Sequence, residues 1–182
     1  MIIFVGDCHG DFSEAVESII SYSSLGISGI IFLGDQTPEK TLEEELEDIG
    51  PDLIARTWFI LGNHDSDYSK FVQNHAGIWS RHLHAKVIEF SGVHVAGLSG
   101  VFRRFAWYPP DEPKIERRDN SDINDIKYDA NKAELTQHDA LTRYTTIFPE
   151  DFKNLKRNKT DQAHIGMGLK KLIFWQMTWV PN

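Results

Sequence analysis

Cysteine is almost missing: Cys8 is the single thiol among 182 residues. That excludes an internal disulfide framework and sets the expectation of a reducing, cytoplasmic compartment. Long apolar runs are missing too. None approaches the roughly 18–20 residues that span a bilayer, so no membrane partner is expected. Excess positive charge is absent, because the formal net charge is −8. Broad binding to nucleic acid or to anionic membrane is therefore not expected. An acidic chain can still act on phosphates where bound cations reverse the local sign. Internal repeats and low-complexity tracts are absent. Met1-Ile2-Ile3-Phe4-Val5 carries no basic leader and reads as a first strand rather than a signal peptide.

The composition is that of a globular domain, 41% hydrophobic and 25% charged, in a chain of one-domain length. Ile2 to Val5, Ile30 to Leu33 and Thr57 to Leu61 are short β-rich apolar runs. Asp11 with Glu14 predicts a helix start, followed by Ala15, Val16, Ile19, Ile20 and Tyr22 at helical spacing. Thr37-Pro38 predicts a second helix with Leu42, Leu46 and Ile49 as its apolar stripe and Glu43, Glu44, Glu45, Glu47 and Asp48 on a solvated face. Tyr68 to His75 suggests a third. Lys86 to Phe90 and Val93 to Leu98 read as a hairpin turning at Ser91-Gly92. Strand and helix alternate at first, which implies a parallel sheet; the hairpin adds an antiparallel portion. Residues 1–100 thus form a motif-bearing core of a single domain, 1–182. Residues 101–160 read as a charged excursion that ends in a short helix after Phe148-Pro149. Residues 161–182 form an atypical tail, in which Lys171 to Val180 could be a last strand.

Three strings carry the chemistry: Gly6-Asp7-Cys8-His9-Gly10, Gly34-Asp35 and Gly62-Asn63-His64-Asp65. Each follows an apolar strand. Each therefore sets acid, amide or imidazole groups on a glycine-containing turn at a strand end. Asp7 and His9, two apart, can address one ion from the same side. Asp35 is a carboxylate able to bridge two cations. Asn63 offers an amide oxygen, and His64 is free to donate a proton. Oxygen and nitrogen donors without thiolate suit Mn, Fe or Zn. Any one string is an ordinary turn sequence; the ordered set of three is specific.

The ordered set resembles the calcineurin-like metallophosphoesterase family over the first hundred residues. The resemblance implies a four-layer α/β/β/α sandwich with mixed sheets. It implies a dinuclear centre of two divalent metal ions (Mn, Fe or Zn), with Asp7 and His9 on the first, Asp35 bridging and Asn63 on the second. It gives His64 the role of general acid or transition-state donor, oriented by Asp65. The implied activity is hydrolysis of phosphate mono- or diesters by metal-activated water, the partner being a phosphoester substrate. The Val-Asp-Arg-Gly continuation of protein serine/threonine phosphatases does not follow Gly34-Asp35, so a general member is expected.

The family's later histidine and its Gly-His-x-His string do not occur. The fold is accordingly expected to be C-terminally incomplete, through truncation or a shifted reading frame, or else completed differently or across a dimer. The alternative function is a weak or inactive member that binds metal or partners. His82-Leu83-His84 has the spacing but lacks the glycine and comes early. His94 reads as a packed strand residue, His138 as exposed, and His164 as a candidate substitute ligand. Arg103 and Arg104 are candidates for gripping a phosphate, Trp107-Tyr108-Pro109-Pro110 for lining a rim, and Cys8 is a small turn filler.

Overall fold

Three parallel strands, β1 (Ile2–Val5), β2 (Gly29–Leu33) and β3 (Thr57–Ile60), form the first sheet in the order β1-β2-β3. The register pairs Phe4 with Ile31 and Phe32 with Phe59. The structure is a computed structural model that describes residues 1–104, 106–114, 141–164 and 172–175, with side chains as far as residue 157. β2, the central strand, is buried at every position, as a strand of a covered parallel sheet must be. β1 lies at the edge, and Phe4 is 36% exposed.

The connections are helical. α1 (Ser13–Tyr22) joins β1 to β2 and buries Ile19. Its start differs from the expected Asp11/Glu14 pairing: the Asp11 carboxylate accepts from the Ser13 amide (3.0 Å) and hydroxyl (2.5 Å). The second connection begins later than Thr37-Pro38. Thr41 and Glu44 form a capping box ahead of α2 (Leu42–Glu45), a 3₁₀ turn follows at Glu47–Ile49, and Gly50-Pro51 opens α3 (Pro51–Ile54). Thr37 cannot start a helix because it is held at φ 42° with its amide given to Asp65. The stripe of Leu42, Leu46 and Ile49 is buried as expected. The acidic face is only partly solvated: the Glu45 carboxylate accepts from the Glu39 and Lys40 amides, and one Glu43 oxygen is buried.

α4 (Ser69–Gln73) and a 3₁₀ stretch at Ala76–Arg81 lead to the second sheet. β4 (Lys86–Phe90) and β5 (Val93–Gly97) are antiparallel, joined by Ser91-Gly92, both at positive φ as a type I′ turn requires. β6 (Leu172–Trp175) runs parallel to β5, so the expected last strand is present and this sheet is mixed. The expected short helix after Phe148 is the 16-residue α5 (Pro149–His164). It packs on β4 with Ile147 and Leu155 buried, so the far end of the 101–160 stretch belongs to the core, not to an excursion.

Alternation along the strands builds the layers. Ile30, Phe32, Phe59 and Leu61 face the α1–α3 side with Ile19, Leu42 and Leu46. Ile31, Leu33 and Ile60 face the other way, onto Phe90 and Val95. Val87 and Ala96 face α5. The result is the expected α/β/β/α order. Gly29 allows the sheets to approach, since a β-carbon there would overlap the Phe90 ring.

His75 is fully buried, its ring tilted against the Phe59 ring with centroids 4.7 Å apart, and its Nδ1 donates to the Phe71 carbonyl at 2.7 Å. Burial pushes its pKa down to about 4. A neutral ring that donates at Nδ1 accepts at Nε2, so the Gln36 amide 3.1 Å away must present its nitrogen there. That orientation also satisfies the otherwise unpartnered Gln36 nitrogen. The unfolded chain protonates this imidazole below its ordinary 6.5, while the folded state resists to about 4. The stabilisation is therefore present above pH 6.5 and is lost as pH falls through 4. Urea titrations should show wild type losing on the order of 3 kcal/mol more than His75→Gln between these limits; parallel pH profiles would refute the assignment.

Candidate metal centre

The loops after β1 and β2 are zipped together by backbone hydrogen bonds beyond the sheet. The Asp7 amide donates to the Gly34 carbonyl (3.3 Å), His9 to Asp35 (2.9 Å) and Gly10 to Gln36 (2.9 Å). Asp7, His9, Asp35 and Thr37 all sit in the left-handed region, at φ 64°, 46°, 52° and 42°. Such conformations cost on the order of 1 kcal/mol or more each outside glycine and persist where the surroundings over-determine them. Here the zipped loops impose them and swing three chemically active side chains to one place. One donor atom each from Asp7, His9 and Asp35 lies within 4.8 Å of the others. His9 Nε2 is 3.1 Å from Asp7 Oδ1.

The third loop locks on through Asp35 and Asp65. The His64 amide donates to Asp35 Oδ1 at 2.8 Å. Gly62 is needed because a β-carbon there would overlap the Asp35 carboxylate, with Cγ at 2.7 Å. Asp65 is completely buried and accepts from the Thr37 amide (2.7 Å) and the Gly62 amide (2.8 Å). Burial, with the Asp35 charge adding to it, lifts its pKa to about 7 even though these amides pull the other way. Asn63 is half-buried on the same turn, between two residues that are both pinned to Asp35 or Asp65.

The expectation that Asp65 orients His64 is corrected. His64 Nδ1 pairs with Asp67 Oδ2 at 2.8 Å, while both Asp65 oxygens serve backbone amides. Asp67 lies outside the Gly62-Asn63-His64-Asp65 string, so the motif does not point to it. The available signal is the 3₁₀ turn at His64–Ser66, in which positions three apart eclipse. The hydrogen bond that His64 donates to Asp67 raises the His64 pKa, with the charges of Asp35, Asp67 and Asp65 helping. The His64 ring lies 5.4 Å from that of His9.

The other candidates separate from this cluster. His84 accepts from the Ser99 amide (3.0 Å) and contacts Asp151 (3.0 Å), and His82 pairs with the Ser99 hydroxyl (2.7 Å). These rings brace β5 against α5. His94 is packed in β5, as expected. His164 lies in α5 beyond the described side chains, and His138 lies outside the described residues. Arg104 rests on the Tyr108 ring at 5.5 Å. The Cys8 thiol is pushed up to about 11 by burial and by Asp65, Asp7 and Asp11, which suits a filler and not a nucleophile.

Two carboxylates and an imidazole converge with no lysine or arginine paired to either acid among the described residues. That donor set fits a borderline or hard divalent cation. Comparison with known proteins agrees. The calcineurin-like phosphoesterase family matches residues 1–176. A Haemophilus influenzae protein, itself described as uncharacterized, is 32% identical over 166 residues, covering 88% of this chain and 67% of its own length. No solved structure matches.

Gly62→Ala tests the close approach directly. The added methyl should displace Asp35 and weaken Mn²⁺ binding roughly 10- to 100-fold by calorimetry. Unchanged affinity would show that Asp35 does not need that space.

Proposed function

We propose, from the premise that this chain belongs to the calcineurin-like phosphoesterase family, that it hydrolyses phosphate mono- or diesters at the strand-end cluster. The observation that carries the reading is the convergence of Asp7, His9 and Asp35 within 4.8 Å, beside an Asp67-paired His64. Asp7 and His9 would hold one divalent ion, Asp35 would touch two, and Asn63 would serve the second. When bound, such ions supply positive charge toward the phosphoryl oxygens and acidify the attacking water. The chain's own groups do the rest. Asp35 is fixed by the His64 amide, so the carboxylate and the imidazole keep one spacing. Asp67 holds a proton on His64 Nδ1 and favours the charged ring, which leaves Nε2 to donate toward a leaving oxygen. The zipped loops keep these groups preorganised.

A second reading, metal binding without efficient turnover, is favoured by one observation. No fourth histidine or carboxylate joins the Asp7, His9, Asp35 group among the described residues. Hydrolysis of an aryl phosphate and an aryl phosphodiester with Mn²⁺ separates the two readings. Under the first, turnover is Mn²⁺-dependent and abolished by Asp35→Asn. Asp67→Asn should lower kcat ~10²-fold while leaving Mn²⁺ affinity near wild type, since general acid catalysis is worth at least that much. Mn²⁺ stabilisation with no turnover of either ester would select the second reading.

A further inference from the structure

Arg103 follows the second sheet and reaches back toward the His64 turn. Its Nη2 donates to Thr145 Oγ1 at 3.3 Å, and Thr145 Oγ1 lies 2.7 Å from Ser66 Oγ. Ser66 in turn donates to the Asn63 carbonyl at 3.0 Å. Three contacts thus tie this guanidinium to the loop that carries Asn63 and His64. The Arg103 side is held in place by the Val101 amide donating to the Thr145 carbonyl (2.9 Å) and the Ile147 amide to the Val101 carbonyl (3.1 Å). Gly100 permits this contact, because a β-carbon there would overlap the Thr145 backbone.

The guanidinium is under-used. Its Nε is buried with no hydrogen-bond partner, and it forms no ion pair among the described residues. The carboxylate whose charge it feels, Asp67, is engaged with His64 Nδ1. Partial burial lowers the Arg103 pKa, and the Asp67 charge offsets this only in part, so the cation is held at a net desolvation cost. A half-buried guanidinium with an unpartnered Nε, tied through Thr145 and Ser66 to the loop that carries Asn63 and His64, has a planar donor geometry that matches the non-bridging oxygens of a phosphate.

We propose that Arg103 is an anion-binding residue of this site, taking the non-bridging oxygens of a phosphate monoester dianion next to the Asp67–His64 pair. It rests on the phosphoesterase reading and refines it: a dianion has a free oxygen for this cation that a diester monoanion has masked. Arg104, exposed on Tyr108, has no such part.

Inorganic phosphate titrated by calorimetry into the Mn²⁺-loaded full chain is the test. Arg103→Met should weaken phosphate binding roughly tenfold or more, Arg103→Lys should recover part of the loss, and Arg104→Met should match wild type. In turnover, Arg103→Met should cut kcat/KM for an aryl monophosphate by a larger factor than for an aryl phosphodiester. If Arg103→Met does not fold, Arg103→Lys carries the test, since it keeps the charge and loses the fork; a loss of about threefold is then expected. Phosphate affinity indifferent to Arg103, or equal losses for both esters, would overturn the proposal. Phosphate binding that depends on Arg103 in a chain without turnover would defeat the hydrolytic reading and uphold this one. Turnover with Arg103-independent phosphate binding would do the reverse.

Discussion

The Asp35 carboxylate is the constraint on which the site depends. It ends the central, fully buried strand, so its position is set by the core and not by solvent. Its Oδ1 accepts the His64 amide, and its Cγ stands where a side chain at residue 62 would be. Two of the three loops are therefore referenced to one side chain. The third, carrying Asp7 and His9, is referenced to the Asp35 backbone through the His9 amide. Moving this residue, main chain and carboxylate together, would move every candidate ligand.

Asp65 performs the complementary task from below. Being buried and bonded to the Thr37 and Gly62 amides, it joins the second loop to the third at the level of the backbone. Those amides stabilise the charged carboxylate, while burial and Asp35 resist it, and the balance near neutrality records that conflict. A site that concentrates Asp7, Asp35 and Asp65 stores like-charge repulsion. The backbone amides relieve this at Asp65 and partly at Asp35, whereas Asp7 is largely exposed and, among the described residues, its carboxylate pairs with His9 alone. The unrelieved charge is where a cation belongs.

The fold was legible where periodicity and buried runs agree. The three apolar runs became β1 to β3, the Ser91-Gly92 hairpin became β4 and β5, and the Leu42/Leu46/Ile49 stripe is buried. The second helix was misplaced because Thr37-Pro38 carries a valid local start signal. A tertiary hydrogen bond from Thr37 to Asp65 overrides it. The length of α5 is hidden in the sequence because the helix is rich in charge and little of its periodicity points to Leu155, which faces β4. At the site, Asp7, His9 and Asp35 could be picked from the strings because strand ends converge in any parallel sheet. Asp67 could not, since its role arises only once a 3₁₀ turn eclipses it with His64.

The two faces of the site are built on different principles. On the Asp7–Asp35 side, the backbone is strained into left-handed geometry and locked by main-chain bonds, so ligand spacing is rigid and charge is negative. On the Arg103–Thr145 side, main-chain bonds fix the Thr145 segment, while the guanidinium itself is held only through hydroxyls and one long hydrogen bond at 3.3 Å. A rigid anionic wall suits ions of fixed radius; an adjustable cationic wall suits an oxyanion whose geometry changes as a phosphorus–oxygen bond breaks. Asp67 stands between them, bonded to His64 and felt by Arg103. It favours the charged form of the imidazole. Asp67 is taken up by the imidazole, so the Arg103 fork is not occupied by it as a direct Asp67–Arg103 ion pair would require.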